Sequence, residues 1–238
     1  MIFDFILVAT GLLLLVWGAE RFVHGAAGLA RRLGVSTLVV GLTIVAIGTS
    51  APELLVNLTA QYQGVPDMAI GNVLGSNIAN IGLVLGVSAL ILPLSVHSQI
   101  LRREYPLVLG VTVLLGAMIF DGRLDAFDGS FLLLGLVGYG IWTLRSAEDA
   151  SDDPFLAETV AEVPEPLPVG RAVFWILVGL VGLLLGSRAL VDGAASLAAL
   201  FGMSDLVIGL TIVALGTSLP ELAAALAAVA KREDNLIV

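Results

Sequence analysis

Cysteine is absent from these 238 residues, and histidine occurs only twice. A disulfide framework and thiolate metal sites are therefore excluded, and zinc or copper held by imidazoles is disfavoured. Charge is scarce as well. Asp, Glu, Lys and Arg together make up 13% of the chain, where a soluble domain carries about 25%. With so little charge, a water-soluble fold of this length would leave apolar side chains over most of its surface, so soluble enzymes and nucleic-acid binders drop out. Strict apolar–polar alternation is missing too, which excludes membrane strands. What fills the chain is 58% hydrophobic residues, 27 glycines and a mean hydropathy of +1.03. Lipid is the expected solvent, and at about 20 residues per spanning helix the length holds roughly six to eight spans with no sizeable extramembrane domain.

The formal net charge of −9 is concentrated in one place. Between Ser146 and Gly170 stand seven acids (Glu148, Asp149, Asp152, Asp153, Glu158, Glu162, Glu165), four prolines and no base. This segment reads as a solvated connector rather than a regulatory cation-binding element. Removing it leaves 13 acids against 11 bases, so the acidity describes a loop and implies no basic partner.

Apolar runs at about 2 to 22, 35 to 61, 67 to 95, 105 to 120, 129 to 144, 172 to 191 and 205 to 230 predict seven helices. The first lacks a basic leader and a small-residue cleavage site, so it is kept as a span. Counted over alternate loops, Arg21, Arg31, Arg32, Arg102, Arg103, Arg145, Arg171, Lys231 and Arg232 fall on one side, against Arg123 and Arg188 on the other. The positive-inside rule then places the N-terminus outside and the acidic linker in the cytoplasm. His24 and His97 are expected near span ends.

An internal repeat organises the rest. Residues 41 to 54 read GLTIVAIGTSAPEL and residues 209 to 222 read GLTIVALGTSLPEL, identical at 12 of 14 positions with an offset of 168. The same offset aligns Gly25-Ala26-Ala27 with Gly193-Ala194-Ala195 and Gly34 with Gly202. The predicted organisation is a first repeat of five spans over 1 to 144, the linker at 145 to 171, and a second repeat over 172 to 238 with two spans. Because five is odd, the second copy enters the membrane from the opposite face, an arrangement typical of alternating-access transporters.

Each copy sets Gly-Thr-Ser-x-Pro-Glu within an apolar run: Gly48, Thr49, Ser50, Pro52, Glu53 and Gly216, Thr217, Ser218, Pro220, Glu221. Proline cannot donate to the carbonyl four residues back, so the helix should break there and free the carbonyls of Gly48 and Gly216. Irregular backbone at membrane depth persists where it lines a cavity or meets an ion. A carboxylate at the bilayer centre costs about 2.5 to 3.5 kcal/mol on insertion scales. Helical spacing puts Thr49 and Ser50 on the face of Glu53, and Thr217 and Ser218 on that of Glu221. With no Arg or Lys in the central part of any predicted span, an ion site is favoured over an ion pair. The third run adds GNVLGSNIAN, residues 71 to 80. Ser76 and Asn80 share a face as neutral oxygen donors, whereas Asn72 and Asn77 stay open between packing and binding. Gly71 and Gly75 would let another helix approach closely. An all-oxygen donor set suits hard cations, calcium among them.

The two GTSxPE motifs with GNxxGSNxxN resemble the paired alpha-repeats of the sodium/calcium exchangers, in the calcium/cation antiporter superfamily, and most resemble its bacterial and archaeal members. The likeness implies an all-α polytopic antiporter of ten spans in inverted five-helix repeats, which uses the inward sodium gradient to expel calcium. It implies Glu53 and Glu221 as central carboxylates, with Thr49, Ser50, Thr217, Ser218, Ser76 and Asn80 as further ligands. By the same likeness, the backbone carbonyls of Ala46 and Ala214 coordinate sodium, and the first and sixth helices slide across the rest. Calcium and sodium are cargo, and no resident cofactor or enzymatic activity is implied.

At the repeat offset Val238 aligns with Ile70, so the second copy reaches only to the position before its own GNxxGSNxx segment. Two complete units would need roughly 330 residues by simple doubling. A cut second motif and a need for a further segment or second chain are therefore expected. Two other readings stay open: proton-coupled cation exchange, since a carboxylate in a low-dielectric site can carry a proton, and a non-transporting membrane fragment or scaffold. An intramembrane hydrolase finds no nucleophile with a base in reach.

Overall fold

A computed structural model of the chain describes residues 2–93, 105–148, 165–219, 221–222 and 225–226, excepting the side chains at 37, 38, 41, 42, 46 and 146–148. Pro220, His97, Arg102, Arg103, Lys231, Arg232 and the acidic linker from Asp149 to Glu162 lie outside these residues. The helices are α1 (Ile2–Arg32), α2 (Thr37–Val40), α3 (Ala46–Thr49), α4 (Ala51–Tyr62), α5 (Pro66–Ala79), α6 (Gly86–Ile91), α7 (Tyr105–Met118), α8 (Ala126–Glu148), α9 (Val169–Phe201), α10 (Asp205–Ile208) and α11 (Ala214–Thr217). Three π-helical segments, Gly41–Val45, Asn80–Leu85 and Gly209–Val213, join α2 to α3, α5 to α6 and α10 to α11.

Every predicted apolar run contains helix. Ile2–Arg32, Pro66–Ile91, Ala126–Arg145 and Val169–Phe201 are each long and apolar enough to cross a membrane, and the pair Thr43–Thr49 and Ala51–Tyr62, bent by 52°, makes a fifth. The protein is an all-α, multi-pass membrane protein.

Two expectations need correction. The first and sixth helices run to Arg32 and from Val169 to Phe201, well past 2 to 22 and 172 to 191. At 1.5 Å per residue they are about 46 to 50 Å long, against a hydrocarbon core of about 30 Å. Consequently Arg21 and Arg188 lie inside helices rather than at span ends. The Arg21 guanidinium sits 5.8 Å from the Trp17 ring centre and 5.0 Å from that of Trp175, and Arg188 pairs with Asp192 at 3.8 Å. His24 likewise lies within α1, edge-on to Trp175. Long cationic side chains that stack on aromatics or pair along a helix keep an apolar helix going past the point where hydropathy stops it.

α1 and α9 pack antiparallel along a seam of glycines. Gly11, Gly18 and Gly25 recur every seven residues, and the offset of 168 carries them onto Gly179, Gly186 and Gly193. Gly11 faces the backbone of Gly186 and Leu190, Gly18 that of Gly179 and Leu183, and Gly25 that of Ala172 and Ile176. The contacts Gly11–Gly186 and Gly18–Gly179 exchange under the repeat offset, as a two-fold relation requires. Lipid offers no hydrophobic drive for helix association, so close backbone contact of this kind is what holds helices together in a bilayer. α9 is further tied to α4: the Thr59 hydroxyl donates to Ser187 Oγ at 2.9 Å and Gln63 Nε2 to Asp192 Oδ1 at 2.8 Å.

α5 lies against α10 and the segment after it. The position of a Cβ on Gly71 would fall on the Leu206 carbonyl, and one on Gly209 on the Met68 carbonyl. A Cβ on Gly75 would meet the Ala214 Cβ and the Leu210 carbonyl, each at 2.5 Å. The close approach expected at Gly71 and Gly75 is present, and the partner is the motif-bearing segment of the second copy. α7 has no buried residue and the α8 span has none within its apolar window, as expected for helices that face lipid.

Gly34 and Gly202, repeat mates, end α1 and α9 with φ of +87° and +63°. No atom lies within 4 Å of a Cβ added at either, so only the left-handed backbone opposes a side chain there. Gly34→Ala and Gly202→Ala are each expected to cost about 1 kcal/mol, read as a small drop in the thermal unfolding midpoint of detergent-solubilised protein with the fold unchanged.

Candidate cation site

The GTS segments of the two motifs fold alike. Ser50 has φ −85° and ψ 6°, Ser218 has φ −87° and ψ 5°, and both interrupt the helix at that point. Pro52 then opens α4, where its missing N–H is no loss, and Glu53 falls in that helix's first turn. There the carboxylate faces the positive end of the helix dipole. Against the expectation from proline, the Gly48 carbonyl is not left free. The turned backbone brings the N–H of Ser50 to Gly48 O, whereas the N–H of Ser218 donates to Ala214 O at 3.1 Å, with Gly216 O beside it. Ahead of each motif the π-helical turn shifts the hydrogen-bond register, and a threonine answers it: Thr43 Oγ1 donates to Val39 O at 2.5 Å and Thr211 Oγ1 to Val207 O at 2.8 Å. Single π turns of this kind recur at functional sites.

A cavity of about 200 Å³ lies where the copies meet. Ser50 and Glu53 enter it from the first motif, Glu221 from the second, and Ser76 and Asn80 from the third span. Asn77, Asn57 and Val73 complete its wall. Five of the ten residues expected at the site are thus gathered around one space. Glu53 and Glu221, one carboxylate from each copy, line the same space. Thr217 and Ser218 are buried beside this space rather than lining it, Ala214 is buried against Gly75, and Thr49 is exposed. Ala46 lies in α3 at the end of the π turn.

Three oxygens of the motif residues, Glu53 Oε2, Glu221 Oε2 and Ser218 Oγ, are buried without a hydrogen-bond partner. An unsatisfied buried acceptor costs about 1 to 3 kcal/mol, more when charged. Unpartnered carboxylate oxygens, one from each copy at one cavity, are what a cation needs. Arg21 and Arg188 are engaged elsewhere, with tryptophan rings and with Asp192. Asn57 is the polar wall residue that sequence reading missed. Its spacing of four from Glu53, one turn along α4, was the available signal. Asn72, left open between binding and packing, is fully buried and off the cavity wall, while Asn77 is on it.

Comparison with known proteins identifies the family. A family model described as sodium/calcium exchanger protein matches residues 3–145 and 171–238. CaxA of Alkalimonas amylolytica is 49% identical over 232 residues, which cover 97% of this chain and 73% of that protein. Sodium/calcium exchanger MaX1 of Methanosarcina acetivorans is 32% identical, covering 92% and 72%. A solved structure of the sodium-calcium exchanger NCX_Mj, soaked with Na+ and Sr2+, superposes with a TM-score of 0.57 at 37% identity, over 99% of this chain and 75% of that one. The chain belongs to the sodium/calcium exchanger family of membrane antiporters.

Proposed function

We propose that this chain exchanges calcium for sodium by alternating access at the cavity between Glu53 and Glu221. The observation that carries the reading is the meeting of two carboxylates, one from each copy of the repeat, each with a buried unpartnered oxygen, at a wall of neutral oxygens. Two such charges balance one divalent or two monovalent cations, and oxygen-only coordination suits both calcium and sodium. Ser50, Ser76 and Asn80 contribute ligands at the cavity. Thr49, Thr217 and Ser218, with the carbonyls of Ala46 and Ala214, contribute as the ions seat. The names of MaX1 and NCX_Mj, both sodium/calcium exchangers, support the same cargo.

The architecture in this reading is a five-helix repeat over 1 to 144, a cytoplasmic linker over 145 to 171 and an inverted second repeat over 172 to 238. It sits in the inner membrane with the N-terminus outside. Escherichia coli YrbG, an inner membrane protein 44% identical over 98% of this chain, supports the compartment. The Leu167 N–H donates to Gly28 O at 3.1 Å, which gathers Arg31, Arg32 and Arg171 at one end of the bundle, consistent with a cytoplasmic face.

Calcium uptake into proteoliposomes separates the readings. An outward-directed sodium gradient should drive uptake, and replacing internal sodium with choline should reduce it at least tenfold, with a pH gradient unable to substitute. Uptake driven by the pH gradient instead would establish proton coupling. Reconstituted protein that moves calcium under neither gradient would favour a non-transporting role.

A further inference from the structure

A hydroxyl carries one proton and two lone pairs. To ligate a cation it must turn its lone pairs toward the ion, so its proton needs an acceptor on the far side. Thr217 is buried against Asn72, whose amide bonds the cavity residue Asn57, and a hydroxyl proton directed into that cavity would compete with the cation for the carboxylate oxygens.

The structure supplies the alternative acceptor. Thr217 Oγ1 donates to Asn72 Oδ1 at 3.2 Å, with the Ala214 carbonyl at 3.3 Å as a second, local acceptor. Asn72 is fully buried, and its amide is oriented from the opposite side, where Nδ2 donates to Asn57 Oδ1 at 2.8 Å. With the amide nitrogen committed to Asn57, the amide oxygen is left for Thr217. The main chain of Asn72 does the same for Ser76, whose hydroxyl donates to the Asn72 carbonyl at 2.8 Å. One residue thus receives the protons of two hydroxyls. The chain of contacts runs from α4, one turn past Glu53, through α5 to the end of α11 in the second copy. It has no duplicate, since Ala225, buried in an apolar cluster, stands at the repeat mate of Asn57.

We propose that Asn72 is a positioning residue for cation exchange: acting through Thr217, it takes the hydroxyl proton and so turns that oxygen's lone pairs toward the cation held between Glu53 and Glu221. Asn57 acts one step further back by fixing the Asn72 amide. This assignment rests on the transport reading above and adds to it a residue that never touches the ion.

The test measures calcium-dependent exchange in proteoliposomes alongside thermal unfolding in detergent, for wild type, N72A, N57A, T217V and N72A/T217V. One hydrogen bond to a site of this kind is worth about a five- to tenfold change in affinity. N72A should raise half-saturating calcium by that factor while the maximal rate, per folded protein, stays within about twofold. N57A, which leaves Asn72 in place but frees its amide to turn, should raise it about two- to threefold. On the T217V background N72A should add nothing further, because the proton it accepts is gone. Half-saturating calcium unchanged in N72A, or raised by its full factor again on T217V, would overturn the assignment, as would a loss confined to folded yield and unfolding temperature. Should N72A fail to fold, N57A and N57A/T217V carry the same cycle. Wild-type protein that moves calcium under neither gradient overturns the transport reading itself, a result distinguishable from failure of the Asn72 assignment alone.

Discussion

Glu53→Gln and Glu221→Gln are each expected to reduce calcium exchange at least a hundredfold while the protein still inserts and folds. Glutamine keeps the shape of the side chain and one carbonyl oxygen, so packing around α4 and the second motif is preserved. What goes is the charge. Removing one partner from a buried charge pair costs about 3 to 5 kcal/mol, and 1.36 kcal/mol is a factor of ten. In the ion-free protein the substitution acts in the opposite direction. Each glutamate holds a buried oxygen without a partner, and a neutral amide relieves the cost of a charge at the bilayer centre, about 2.5 to 3.5 kcal/mol on insertion scales. The variants should therefore unfold at or above the wild-type temperature without calcium and lose the stabilisation that calcium gives wild type. Near-normal flux in both variants would sink the assignment of the two carboxylates.

The second large effect concerns the seam between α1 and α9. Gly18→Leu is expected to destabilise the protein by about 3 kcal/mol or more and to cost most of the folded yield. A Cβ at Gly18 would stand 2.7 Å from the Leu183 nitrogen and 2.9 Å from the Gly179 carbonyl oxygen. Both are backbone atoms of a long helix, so no rotamer change makes room, and the two helices must separate. Gly135→Leu in α8 is the control. Nothing lies within 4 Å of a Cβ there, and leaving glycine for a better helix former gains up to about 1 kcal/mol. Equal behaviour of the two variants in size-exclusion and thermal unfolding would show that the close contact of α1 with α9 contributes nothing to the fold.

Much of this site was legible in the chain because its chemistry is local and written twice. A carboxylate after a proline, in an apolar run, with hydroxyls three and four residues back, pointed to Glu53 and Glu221 before any fold was known. Helix extents were not legible from hydropathy. Glu20 and Arg21 end the apolar run of the first span, yet the helix continues to Arg32, because Arg21 has two tryptophan rings to lie on and one of them, Trp175, comes from α9. The fate of the Gly48 carbonyl was misread for a related reason: proline removes one donor, but the backbone of Ser50 turns to supply another.

By itself the sequence determined the solvent, the class of fold, the duplication and the residue types of the site, since composition, period and identity at a fixed offset are all properties of the chain read in order. Only the tertiary structure decided which of those residues share a space. Periodicity says that Ser76 and Asn80 lie on one face of a helix, and it is silent about what that face meets. The backbone contact of Gly71 and Gly75 with the segment from Leu206 to Ala214 sets α5 against the second motif, bringing Ser76 and Asn80 to the cavity that Glu221 shares and Asn72 to Thr217. Contacts between residues some 140 positions apart depend on the fit of two helix surfaces, and no local pattern in either encodes the other.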